Sequence, residues 1–333
     1  MKKYVKFGFV VLLIVALVLG IGAYFVVFRF PNASINISSA TVDNYYNNYI
    51  AGGNACRINN TIYYNYNKSR FNYGLAEITE NGSKRIHWNG IHWLEAELPQ
   101  LLSPIRMYEN KLYLTDENKY YDAAEQSFIS DDTFHGDFRQ TEYGLVYADD
   151  ENLICENSAG KKQVLLKSYD KCYIANDALY YTLPKRYDTI RKLDLKTGKD
   201  EKIAQISSEY MEFARSFFIE KNYVVFESDI LNKDKGNYTS GCLFTLELGT
   251  DNRQPQLIKS EINGVNVYKN KVYFTSGNGL EVYDLQNKSV QTLCKNSAEK
   301  VYILDDGWVY FTDDNSALWR VSNDGAKSEK VFG

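Results

Sequence analysis

The 333-residue chain sets 38 Lys and Arg against 42 Asp and Glu, a formal net charge of −4. With no dense basic stripe to override that balance, a nucleic-acid partner is excluded. Hydrophobic residues at 44% are ordinary for a globular chain, while 15% aromatic residues, including 28 Tyr, suit sheets packed face to face.

The chain begins with MKKYVK, so residues 1–6 read as a cytoplasmic stub. Phe7 to Phe28 then runs 22 residues without a charge, about 33 Å as a helix at ~1.5 Å per residue, enough to span a bilayer. A secretory signal has an apolar core of about 7–15 residues. Here the apolar run continues past Ile21-Gly22-Ala23, so the expectation over 7–28 is an uncleaved signal-anchor in the form of one transmembrane helix. Lys2, Lys3 and Lys6 precede it and only Arg29 follows, which predicts a single-pass protein of the cell membrane with its N-terminus in the cytoplasm and the remainder extracellular. Residues 29–44, containing PNASINISSA, read as a tether. Val42 to Ile50, VDNYYNNYI, is either a short strand that closes a ring against the last repeat or the end of that tether.

From there the sequence repeats. The stretch Val265 to Leu293, VNVYKNKVYFTSGNGLEVYDLQNKSVQTL, reads as four short strands joined by tight turns. Equivalent second strands start at Ile62, Leu112, Leu145, Leu179, Val224, Val272 and Val309, and a first strand starts seven residues before each, weakest at Phe138. Turn-formers recur between them: Asn59-Asn60, Asn110, Gly144, Asn176-Asp177, Asn222, Asn270 and Asp306-Gly307. Third strands such as IRKLDLKTG and fourth strands such as KQVLL follow. A four-stranded unit of about 40–45 residues is a propeller blade. The fold class is therefore all-β, a seven-bladed β-propeller of four-stranded antiparallel blades over residues 45–333, with six blades the runner-up.

VYFTDDNSALWRVSNDG (309–325) and LYYT with IRKLDLKTG (179–182, 190–198) resemble the YWTD-type repeat of low-density-lipoprotein-receptor propellers. They are more closely similar to bacterial membrane-anchored propeller domains of unknown function. The likeness covers roughly residues 45–333, with Tyr or Phe where the receptor repeat has Trp, and seven units where receptor propellers have six. It implies a fold and a binding role, and carries over no catalytic residues.

The residues themselves offer little for catalysis. The three His are His87, His92 and His135, and no HExxH, GxSxG or phosphate-binding Gly loop is present. Asp149-Asp150, Asp305-Asp306 and Asp313-Asp314 sit where turns favour Asp, while Asp131 and Asp132 fall in a longer connection. Cys56, Cys155, Cys172, Cys242 and Cys294 lie at or beside predicted strands in different repeats, without metal spacing, and read as small apolar strand residues. No cofactor or metal is expected.

Long connections carry more information. Links between second and third strands, and from each blade to the next, emerge on one rim of a propeller, where function concentrates. On that rim the sequence places Trp88, His92, Trp93, Phe134, His135, Arg186, Tyr187, Tyr210 and Tyr238 as candidate ligand-binding residues, aromatics with neighbouring Arg being common in interfaces and sugar-stacking sites. The reading is an extracytoplasmic, membrane-tethered binding or scaffold propeller that recognises a protein, peptide or cell-wall glycan. The alternatives are a propeller enzyme acting on carbohydrate and a sensor subunit of a membrane complex.

Overall fold

The computed structural model describes residues 12–20, 46–58, 60–69, 72–87, 105–108, 111–114, 119–122, 127–130, 138–149, 151–184, 186–205, 210–232, 237–249 and 254–333. Seven four-stranded antiparallel sheets account for nearly all of them, and every sheet is built from four strands consecutive in sequence. Blades 1 to 7 span residues 55–87, 105–130, 138–167, 172–205, 210–259, 262–294 and 301–332. The seven-bladed expectation holds over the six-bladed one, and the weakest predicted strand, Phe138–Thr141, forms as the innermost strand of blade 3.

Burial follows a strand's place in its blade. In blade 6 the second strand, Lys271–Ser276, is buried at all but its first residue because neighbouring blades cover both of its faces, whereas the outermost strand, Ser289–Cys294, is exposed over its first four. Inner strands therefore read as continuous β-branched and aromatic runs, and outer strands can carry polar residues. Turn chemistry fixes the register. Lys269 and Asn270, between the first two strands of blade 6, both adopt positive φ (47° and 64°), the backbone of a two-residue hairpin that matches strand twist.

Two expectations for the N-terminal part meet the described residues only in part. Within Val42 to Ile50, Tyr46–Ile50 is a five-residue helix rather than a strand, and residues 42–45 lie outside the described residues. Among the described residues no strand is exchanged between the first and last blades. Their faces instead pack directly, with Phe332 5.7 Å from Tyr64 and 4.9 Å from Tyr66 between ring centroids, and Tyr64 Oη donating to the Ser316 carbonyl at 3.0 Å. Secondly, the described part of the predicted transmembrane segment 7–28 is an exposed apolar helix over residues 12–20, about 14 Å long at ~1.5 Å per residue. Among the described residues no helix is long and apolar enough to cross a membrane. The remainder of 7–28 lies outside them.

All five cysteines are free thiols, four of them buried, as strand packing predicts.

Candidate functional site

The Tyr46–Ile50 helix lies among the innermost strands and ties the ring together from its axis. Asn48 Nδ2 donates to the Ile303 carbonyl at 2.6 Å, while its Oδ1 accepts from Ile303 N at 2.9 Å and from Asn266 Nδ2 at 2.6 Å. Asn47 Nδ2 donates to the Val267 carbonyl at 2.7 Å and its Oδ1 accepts from Tyr173 Oη at 2.8 Å. Tyr46 accepts from Ile174 N at 3.1 Å, and the Arg139 and Arg106 guanidinium carbons stand 4.8 and 5.3 Å from its ring centroid. Blades 2, 3, 4, 6 and 7 thus all meet this one turn of helix. Gly52, at φ +69°, ends it, and at Gly53 a Cβ would come within 2.4 Å of the Asn48 carbonyl oxygen, so only glycine allows the chain to turn so close.

The direction of this segment defines two faces. The turn face carries the hairpins between first and second and between third and fourth strands; the loop face carries the remaining connections. Asn47 and Asn48 are level with Val267 and Ile303, near the turn-face ends of strands Ile262–Tyr268 and Val301–Ile303. Gly53 accepts from Ile105 N at 3.0 Å, at the loop-face end of Ile105–Tyr108. Within the ring the chain therefore runs from the turn face to the loop face before entering blade 1.

Of the residues expected on the loop face, Trp88, His92, Trp93, Phe134 and His135 lie outside the described residues. Of the other candidates, Arg186 and Tyr187 belong to strand Arg186–Asp194 of blade 4, and Tyr210 and Tyr238 to strands Tyr210–Glu220 and Asn237–Glu247 of blade 5. Arg186 is exposed and lines a hollow of about 150 Å³ with Thr189, Arg191, Lys202 and Gln205. Arg191 is held there by Asp200 at 3.1 Å.

The stretches expected as loops in blade 5 are largely strand. Tyr210–Glu220, Tyr223–Asn232 and Asn237–Glu247 outrun their counterparts in the other blades and form a three-stranded paddle on the loop face, with Tyr210 opposite Ile230, Ile230 opposite Thr239 and Leu231 opposite Tyr238. Tyr238 is 50% exposed near its tip.

The turn face carries a feature that the sequence did not mark. Where blade 7 meets blade 1, a cleft of about 430 Å³ opens. Ile62, Ile78 and Tyr310 contribute its buried side chains, Arg57, Asn60, Thr79 and Glu80 line it from blade 1, and Asp306, Trp308, Arg320 and Lys330 from blade 7. Arg320 stands 4.4 Å from the Trp308 ring and is clamped by Glu329 through Nε at 2.8 Å and through Nη2. That Arg320 hydrogen bond holds the Glu329 carboxyl below its ordinary value. Asp306 accepts from Tyr310 Oη at 2.6 Å and from Trp308 N at 3.1 Å. Burial first, then the Asp306 carboxylate, keeps the Tyr310 phenol well above its ordinary value. The sequence reading places Asp306 in a turn and does not single out Trp308. The available signal was a Trp beside a turn Asp in one repeat alone.

Asp313 behaves as a turn residue, accepting from Asn315 N, Ala317 N and Trp319 Nε1 at 2.8–3.0 Å. Among the described residues no three metal-binding side chains converge.

A closed ring of seven such sheets is a β-propeller, and that is the class the architecture defines. No protein-family model matches the chain, and no curated protein sequence does either. Solved structures resemble it distantly. The extracellular domain of a protein proposed as a hybrid two component system from B. thetaiotaomicron aligns with a TM-score of 0.48 at 12% identity, over 82% of this chain and 40% of that one. Hsv2 from Kluyveromyces lactis aligns at 0.44 and 12% identity over 82% and 94%, and the tricorn protease at 0.45 and 11% over 82% and 33%. The chain spans about two fifths of the bacterial extracellular domain. At these identities the likeness is one of fold only, and the fold itself rests on the sheet order.

Proposed function

We propose that the protein is a membrane-tethered, extracytoplasmic binding or scaffold propeller that recognises a protein, peptide or cell-wall glycan on its loop face, the role implied by its resemblance to YWTD-type propellers. The observation that carries this reading is the blade 5 paddle. Its second strand, Tyr223–Asn232, runs four residues longer than Lys271–Ser276 of blade 6, and Tyr238, near the end of the hairpin, is half exposed. A projecting sheet stabilises the ring little and presents edges and side chains to a partner.

Two further observations support it. Leu12, Leu13, Ile14, Val15, Leu17, Val18 and Leu19 are each more than 50% exposed, an apolar surface that a lipid phase would cover. The chain also enters the ring from the turn face, which turns the loop face away from an N-terminal anchor. The test is capture of partners or cell-wall material by the purified protein, compared with Arg186→Ala and Tyr238→Ala. Loss of a specific partner in either variant, with melting unchanged, supports the reading; identical capture by all three overturns the choice of face.

A further inference from the structure

The cleft between blades 7 and 1 has the chemistry of a second, independent site. Its volume of about 430 Å³ falls in the range of ligand-sized pockets, roughly 300–1,000 Å³. Its lining is too polar for a greasy ligand. Its formal charges balance, with Arg57, Arg320 and Lys330 against Glu80, Asp306 and Glu329, so neither a polyanion nor a polycation is selected. Arg320 and Glu329 are already spent on each other, and Asp306 on Tyr310 and Trp308.

What remains is a set of planar polar groups on the blade 1 side, Arg57, Asn60 and Glu80. Among the described residues Arg57 makes one long hydrogen bond, from Nη2 to Asn60 Oδ1 at 3.3 Å, and both Asn60 and Glu80 are exposed. Guanidinium, amide and carboxylate groups offer paired donors and paired acceptors in one plane, the pattern that two adjacent hydroxyls of a pyranose can satisfy together. Half-buried Trp308, its ring approached by Arg320 at 4.4 Å and by Lys327 at 5.5 Å, contributes the amphipathic aromatic side chain on the blade 7 wall.

We propose that this cleft binds an uncharged saccharide of one or two pyranose units, held by Arg57, Asn60 and Glu80 on the blade 1 side and packed on Trp308 on the blade 7 side. Because the ligand bridges the first and last blades, which are not consecutive in the chain, its binding also stabilises the closed ring.

The experiment is calorimetric titration of the full chain with cellobiose and chitobiose, with trialanine as the peptide arm, accompanied by thermal melting. One disaccharide binds and raises Tm. Asn60→Ala and Glu80→Gln, both at exposed positions, each weaken it by about 5- to 10-fold at unchanged apo Tm, and Trp308→Phe weakens it by about 10-fold or more. Arg186→Ala, on the opposite face, leaves it unchanged. Absence of saccharide binding, binding indifferent to Asn60→Ala and Glu80→Gln, or preference for trialanine over both sugars each overturns the proposal. None of these outcomes depends on the loop face, so this site and the proposed partner surface stand or fall separately.

Discussion

The side chain of Asn48 does for Ile303 what a neighbouring strand would do: its amide meets both the N–H and the C=O of that residue and adds a third bond to Asn266. At 4% exposure none of these partners has water in reserve. Asn48→Ala removes the side chain that pairs with the buried N–H and C=O of Ile303, while the Asn266 amide keeps its bond to the Val301 carbonyl, a loss of about 2–3 kcal/mol. In a domain of this size that lowers Tm by about 3–5 °C, measurable by calorimetry. A shift below 1 °C would show that the axial helix contributes nothing to closure. Asn48→Asp tests the geometry separately, since it retains the acceptor and loses the donor to Ile303.

At the scale of elements, blade 5 separates folding from presentation. Its inner register, Phe217–Glu220 against Tyr223–Phe226, packs in the core and Ile230 packs against that core, whereas Tyr238 near the tip is half exposed. Replacing residues 231–238 with Asn-Gly keeps the pair of Ile230 with Thr239 and supplies the two-residue turn a hairpin accepts. The expected outcome is a Tm within about 2 °C of wild type together with loss of partner capture. A collapse in Tm would instead make the paddle part of the core.

The same scale explains what could be read from the chain. Blades were legible because each repeats a short apolar run, a turn residue and another run; the Lys269-Asn270 turn stands where its residues predict. The paddle was taken as loop because NKDKG and NYTSG break the apolar pattern, although cross-strand pairing continues through much of it. The axial helix was missed because five residues are too few to show a helical period, and the Gly52-Gly53 stop was the one cue available. The seam cleft could not be read, since Arg57 and Glu80 meet Trp308 and Lys330 only when the ring closes.

For the whole molecule, closure rests on packing at one seam and on one axial peg. Three seam tyrosines, Tyr64, Tyr302 and Tyr310, are held neutral chiefly by burial, each well above the ordinary value of 10.0. A raised phenol contributes stability that is fully present below pH 10 and is lost as pH rises towards the folded-state value. The ring should therefore open above about pH 10–11, with cooperative tyrosinate absorbance coinciding with loss of near-ultraviolet circular dichroism. Gradual titration near pH 10 with the fold intact would contradict this. Tyr64→Phe keeps the ring contact with Phe332 and removes one such group, so its alkaline transition moves upward.

The path of the chain through the ring has a mechanical consequence. A cord drawn through a bead and stopped by a peg loads the bead along its axis. Tension on the N-terminal side of Tyr46 pulls the peg lengthwise, so the bonds to blades 4, 6 and 7 resist together in shear. A ring fastened by an outer strand would yield bond by bond from one end; this one shares the strain among several blades and gives way only when the peg slips as a unit.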